Sequence, residues 1–314
     1  MKKSVALVLS SGGARGLAHI GVIQELEKQG FHITSVAGTS IGSWIGGMYA
    51  MGQLNHFTEL VCSLNRVEIL NLMNFTLNTH GVLSAERAFR RMEKEIPDVP
   101  IEELRIPYVA MATDLVAKEE VAFTSGSLYK AIRASIAIPA IITSVQEHDR
   151  VLVDGGLLNP LPIKQVYRNP GDILVAVNLY GPEDEGGEKQ KSLHASTFNG
   201  ALYGIPAKII ATASGKTISF PNGDKQSMNY ISIFKEMVAL VLQSNVDNAL
   251  EMYKPDITIH IPRNCAKSFD FHKAEELIEK GRTEARKTIA LYEENGTLHQ
   301  MKRESSSSVT ISFL

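Results

Sequence analysis

Ser40 stands in Gly38-Thr39-Ser40-Ile41-Gly42, a GxSxG pentapeptide placed where an apolar run gives way to a helical pattern. A serine there is lifted from the backbone as a nucleophile, provided the helix can fold back tightly on its strand. Side chains at 38 and 42 would collide in that turn, so both positions call for glycine. The turn also sets Ser40 at a helix N-terminus, where unpaired amides and the macrodipole favour negative charge. Asp154 is the second reactive group. It closes the apolar run Val151-Leu152-Val153 and is freed by Gly155 and Gly156. The third feature is Gly12-Gly13-Ala14-Arg15-Gly16, whose backbone can approach a reacting group closely and offer amides to a phosphate or an oxyanion.

Each feature has a plainer reading by itself. A glycine loop after a first strand commonly binds a nucleotide. Here, however, Ser11 replaces the first glycine of GxGxxG, and no acidic residue closes a strand about 20 residues on, as a ribose would require. Asp-Gly-Gly after a strand is commonly only a turn. Ser214-Gly215-Lys216-Thr217 ends like a P-loop, but Ile210 occupies the required glycine position, so a turn is expected. The order glycine loop, serine elbow, Asp-Gly-Gly is much more informative than any member.

That ordered set resembles the patatin-like phospholipase family, which includes the catalytic domain of neuropathy target esterase. The resemblance covers about the first 165 residues: GGARG, GTSIG, the stretch from Arg133 through Ser135 to Pro139, and the glycines after Asp154. It implies a three-layer α/β/α fold with a mainly parallel central sheet. It also implies a hydrolase that cleaves lipid acyl esters with a Ser-Asp dyad and no catalytic histidine. Ser40 would be the nucleophile and Asp154 the base. The amides of Gly12, Gly13, Ala14 and Arg15 would form the oxyanion hole, with Gly16, Gly38, Gly42, Gly155 and Gly156 in support. Ser11 departs from the family, whose loop most often carries another glycine there.

Such a mechanism sets physical conditions. A serine hydroxyl needs a neighbouring base as it attacks. A carboxylate near its reference pKa of about 3.9 is a poor one, so Asp154 must be desolvated. The rival is a Ser-His-Asp triad drawing on His194, His260, His272 or His299, none of which the sequence aims at a strand end. His19, one turn past the glycine loop, reads as packing or a helix-start hydrogen bond. A further alternative keeps the fold as a lipid-binding or regulatory protein without useful turnover.

The remaining elements must position these groups. Strands are expected at 4–10, 34–37, 106–113, 121–124, 151–153, 173–179 and 256–261. Helices are expected from Leu17 to Gly30, from Ser40 through Met51, at 127–137, at 230–252 and at 273–294, with 55–105 mainly helical. Trp44, Met48, Tyr49 and Met51 fit core packing, and Arg133, Ser135 and Pro139 read as a structural helix end. Residues 4–180 form the expected catalytic domain. Residues 181–300 form a mixed α/β extension packed on it, beginning with a polar linker at 181–192, and 301–314 form a flexible tail.

The 314-residue chain carries 44% hydrophobic and 21% charged residues, an ordinary globular balance. Its net charge of −2 argues against nucleic-acid binding. Cys62 and Cys265 lack metal-ligand spacing and read as free thiols in a reducing compartment. No cofactor or metal is called for. The apolar run after Lys3 is too short for a signal peptide, and no stretch approaches the ~20 residues of a membrane span. A cytoplasmic protein is expected, with membrane contact confined to the periphery of the inner surface. The partner is a lipid or acyl ester, and the apolar segments at 202–213 and 231–242 are candidates for an acyl groove or bilayer contact.

Overall fold

The computed structural model describes residues 3–184 and 230–307, apart from 73, 79, 80 and 140. The Ser214–Thr217 turn, the 202–213 segment and residues 185–192 of the 181–192 linker therefore lie outside the described residues.

The chain opens with β1 (Lys3–Leu9), a glycine turn, α1 (Ala18–Lys28), β2 (Phe31–Thr39) and α2 (Ile41–Met51). Helices α3 (Leu54–Ser63) and α4 (Arg66–Leu72) follow, then a hairpin of β3 (Asn74–Asn78) and β4 (Gly81–Ser84), and α5 (Glu86–Glu95). That hairpin interrupts a stretch, 55–105, that is otherwise mainly helical as expected: Asn74 to Asn78 alternates polar and apolar residues at period two, a strand pattern. Next come β5 (Tyr108–Asp114), β6 (Glu119–Phe123), α6 (Leu128–Ser135), β7 (Val145–Glu147), β8 (Arg150–Asp154) and β9 (Ile173–Gly181). The described chain ends with α7 (Tyr230–Tyr253), β10 (Ile257–Pro262) and α8 (Ala274–Ser307). Helix α8 runs into the segment expected to be a tail, and residues 308–314 lie outside the described residues.

Eight strands form one sheet in the order β10-β9-β1-β2-β5-β8-β7, with β6 paired to β5. The five from β10 to β5 are parallel, whereas β6, β7 and β8 join antiparallel. Strands buried on both faces explain the unbroken apolar run of β1. Val5, Leu7 and Leu9 enter one core with residues of α1, α2 and α8. Ala6 and Val8 enter the other, beneath Leu242 and Val246 of α7. Helices thus cover both faces, giving the expected three layers. Strand β10 extends the sheet beside β9, and α8 lies along α1 so closely that a Cβ on Gly281 would stand 2.0 Å from the Ala18 carbonyl oxygen.

Sheet register brings the two reactive groups to one level. Thr39, the residue before the serine, pairs with Met111 of β5. Asp154 pairs with Ala112, the next residue along β5. The aspartate therefore comes from an antiparallel strand, unlike the strand ends that flank it. The β7–β8 hairpin, turning through His148 with φ of 51°, returns the chain along β5 and delivers Asp154 beside the start of α2.

Candidate active site

Ser40 links β2 to α2 with φ 56° and ψ −125°, a strained conformation for a residue with a side chain. Such geometry costs on the order of 1–3 kcal/mol and persists only where the surroundings enforce it. Here the Ser40 N–H donates to the Ser135 hydroxyl at 2.8 Å, and the Ser40 carbonyl accepts the amides of Ser43 and Trp44. The flanking glycines are demanded by contact. A Cβ on Gly38 would lie 2.4 Å from the Gly42 backbone, and one on Gly42 would lie 2.3 Å from the Leu9 carbonyl oxygen. Ser135, expected to serve only as a helix end, is thus a direct support of the elbow.

The Ser40 hydroxyl donates to Asp154 Oδ2 at 2.5 Å across 114 positions of sequence. The second carboxylate oxygen accepts the Gly156 amide at 2.7 Å, and the Asp154 N–H donates to the Ala137 carbonyl at 2.9 Å. Helix α6 and the turn after it therefore hold both partners, Ser40 through Ser135 and Asp154 through Ala137. Ser40 is 5% exposed and Asp154 7%. Burial lifts the Asp154 carboxyl from 3.8 to about 6, against the opposing pull of hydrogen bonds from Ser40 and Gly156. The desolvated setting that a carboxylate base requires is present. The two glycines fit closely: Gly155 against the backbone of Met111, Gly156 between Asp154, Ser11 and Leu242.

The glycine loop abuts the elbow, with Gly16 packed on Ile41 and the Ser10 carbonyl beside Gly42. Its amides are not equivalent. The Ala14 N–H donates to the Ser268 carbonyl at 2.9 Å. Among the described residues, no acceptor meets the amides of Gly12 or Gly13. Arg15 is turned back on the loop. Its Nε donates to the Gly12 carbonyl and its Nη1 to the Arg263 carbonyl, while the guanidinium lies 5.2 Å from the centroid of the Tyr180 ring. The Arg15 side chain thus supports the loop.

The histidines stand apart. His19 Nε2 is 2.9 Å from the Ser10 carbonyl oxygen, and burial lowers its pKa to about 4, so the ring is neutral and donates there. His260 contacts Asn178 at 3.2 Å, and burial lowers its pKa as well. His272 sits in the short turn before α8, and His194 lies outside the described residues. Among the described contacts, no histidine bonds Ser40 or Asp154. Neither do the described residues contain a cluster of metal-ligating side chains, or a helix long and apolar enough to cross a membrane.

Ser40, on a strand-to-helix elbow in the middle of the sheet, is thus bonded directly to a buried carboxyl, and no imidazole stands between them among the described contacts. The sequence pattern of the patatin-like phospholipase family matches residues 7–167, and the chain belongs to that family. NTE family proteins of Mycobacterium tuberculosis and Mycobacterium bovis are 32% identical to it over 331 aligned positions, covering 92% of this chain and 92% of each relative. The lysophospholipase NTE1 of Saccharomyces cerevisiae is 29% identical over 190 positions, covering 58% of this chain and 11% of that larger protein. Among solved structures, VipD from Legionella pneumophila aligns with 93% of this chain and 67% of its own, at a TM-score of 0.47 and 13% identity.

Proposed function

We propose that this protein is a serine hydrolase of lipid acyl esters that works through a Ser40–Asp154 dyad. The 2.5 Å bond between the Ser40 hydroxyl and the buried Asp154 carboxylate carries the reading. Asp154 takes the hydroxyl proton as Ser40 Oγ attacks the ester carbonyl, and the amides of Gly12 and Gly13 receive the developing oxyanion. Collapse of the tetrahedral species expels the alcohol, which takes the proton from Asp154, and leaves an acyl-serine. Water, deprotonated by Asp154, then attacks that ester and releases the fatty acid. The family membership and the lysophospholipase name of the yeast relative support a lipid-derived ester as substrate. Exposed Met237, Leu240 and Val241 lie on α7, the helix whose Leu242 meets Gly156, and suit an amphiphilic substrate.

The test compares hydrolysis of short- and long-chain acyl esters and of a lysophospholipid by wild type, Ser40→Ala and Asp154→Ala. Both substitutions should abolish turnover while circular dichroism shows an intact fold. Turnover that survives either one would refute the dyad. Hydrolysis lost instead on substitution of His194, His260, His272 or His299 would establish the triad.

A further inference from the structure

Gly12 and Gly13 sit in a turn whose geometry must be held to a fraction of an ångström if their amides are to meet an oxyanion. One residue outside the turn touches it at both ends. The Tyr180 hydroxyl lies 2.8 Å from the Ser11 hydroxyl, immediately before the two glycines. The face of the same ring lies under the Arg15 guanidinium, two residues after them. Arg15 carries this support inward by donating to the Gly12 carbonyl at 3.2 Å. Tyr180 is itself fixed as the penultimate residue of β9, with its N–H on the Asn178 side chain at 2.8 Å. Both hydroxyls are buried, Ser11 at 4% exposed and Tyr180 at 8%, so water does not substitute readily for their bond.

We infer that Tyr180 is a positioning residue that clamps the oxyanion loop from both sides, its hydroxyl on Ser11 and its ring under Arg15. Ser11 is the sequence's departure from the family's glycine, so this chain replaces a flexible position with a tethered one. The tether also reaches the base. The Ser11 hydroxyl and Asp154 Oδ1 lie against one side of Gly156, 3.2 and 3.0 Å from where a Cβ would stand. Fixing Ser11 thus fixes the spacing between the donors and the turn that carries Asp154. The inference rests on the reading of Gly12 and Gly13 as oxyanion donors.

Steady-state kinetics on an acyl ester test it with Tyr180→Phe, Ser11→Ala, the double variant and Tyr180→Leu. Tyr180→Phe keeps the ring and deletes the hydroxyl. Its kcat should fall by about 10-fold, short of the ~10²–10³-fold that loss of an oxyanion donor costs. KM should stay within about 2-fold, since the misplaced amides act on the transition state. Ser11→Ala should match it, and the double variant should be no worse than either single, because all three lack one and the same bond. Tyr180→Leu, which also removes the cation–π contact, should be slower again. The rate of fluorophosphonate labelling of Ser40 should fall in parallel with kcat.

An active wild type with unchanged kcat in both Tyr180→Phe and Ser11→Ala would overturn the inference. So would a loss expressed in KM alone, or single effects that multiply in the double variant. Each of these leaves the dyad standing. Wild-type protein that neither hydrolyses esters nor labels at Ser40 would overturn the hydrolase reading and the clamp together.

Discussion

Replacing Asp154 by asparagine should inactivate the protein and stabilise it at neutral pH. The carboxyl is 7% exposed, and burial holds its pKa at about 6 rather than 3.8. Below pH 3.8 the group is protonated folded and unfolded, and it contributes no difference. Between 3.8 and 6 the unfolded chain ionises while the folded one resists, so stability is lost as pH rises. Above pH 6 both states are ionised and the cost is complete, about 3 kcal/mol for a shift of this size. Asparagine carries no such cost, can still accept from the Gly156 amide, and does not titrate. Urea unfolding of wild type and Asp154→Asn at intervals between pH 4.5 and 7.5 measures the difference directly. The variant's advantage should grow with pH and level off above about pH 6.5, by a few kcal/mol. A difference that is flat with pH, or that falls as pH rises, would refute the claim that Asp154 is held as a strained, desolvated base. On the same reasoning, wild-type kcat/KM should rise with pH through an apparent pKa near 6 to a plateau.

Four further outcomes are expected, two at the elbow and two away from it. Ser135→Ala strands the buried Ser40 N–H and should cost about 1–3 kcal/mol in urea unfolding, together with a fall in kcat. Gly42→Ala would place a methyl 2.3 Å from the Leu9 carbonyl oxygen and should fail to fold or lose both activity and stability, as read by Tm. Gly30→Ala, with φ of +82° and open space around it, should cost only about 1 kcal/mol and leave kcat untouched. His260→Ala should keep most of its activity in the ester assay, since its ring contacts Asn178 rather than the dyad.

The first half of the fold was legible because its signals are local. An apolar run buried on both faces, a glycine turn, an amphipathic helix and a second strand leading to Ser40 each declare themselves within a dozen residues. The juxtaposition of Ser40 and Asp154 was legible only through the family resemblance, since 114 positions separate them. The direction of β8 was not. It depends on pairing with the three-residue strand β7, too short to show a period, and on a positive φ at His148 that the sequence does not advertise. Ser135 was noticed but read as a helix end, because its acceptor role exists only once α6 lies against the elbow. Tyr180 gave no signal: it lies one residue past the strand expected at 173–179, and its partners Ser11 and Arg15 are far away in sequence. The glycine-loop amides looked alike in sequence; Ser268, far along the chain, takes the one from Ala14.

Nucleophilic attack by Ser40 with Asp154 as base is tested most directly by mass spectrometry after reaction with a fluorophosphonate. Wild type should carry one adduct on the peptide containing Ser40, at a rate that falls by orders of magnitude in Asp154→Asn. An adduct on another residue, no adduct on folded wild type, or an equal rate in the variant would contradict it.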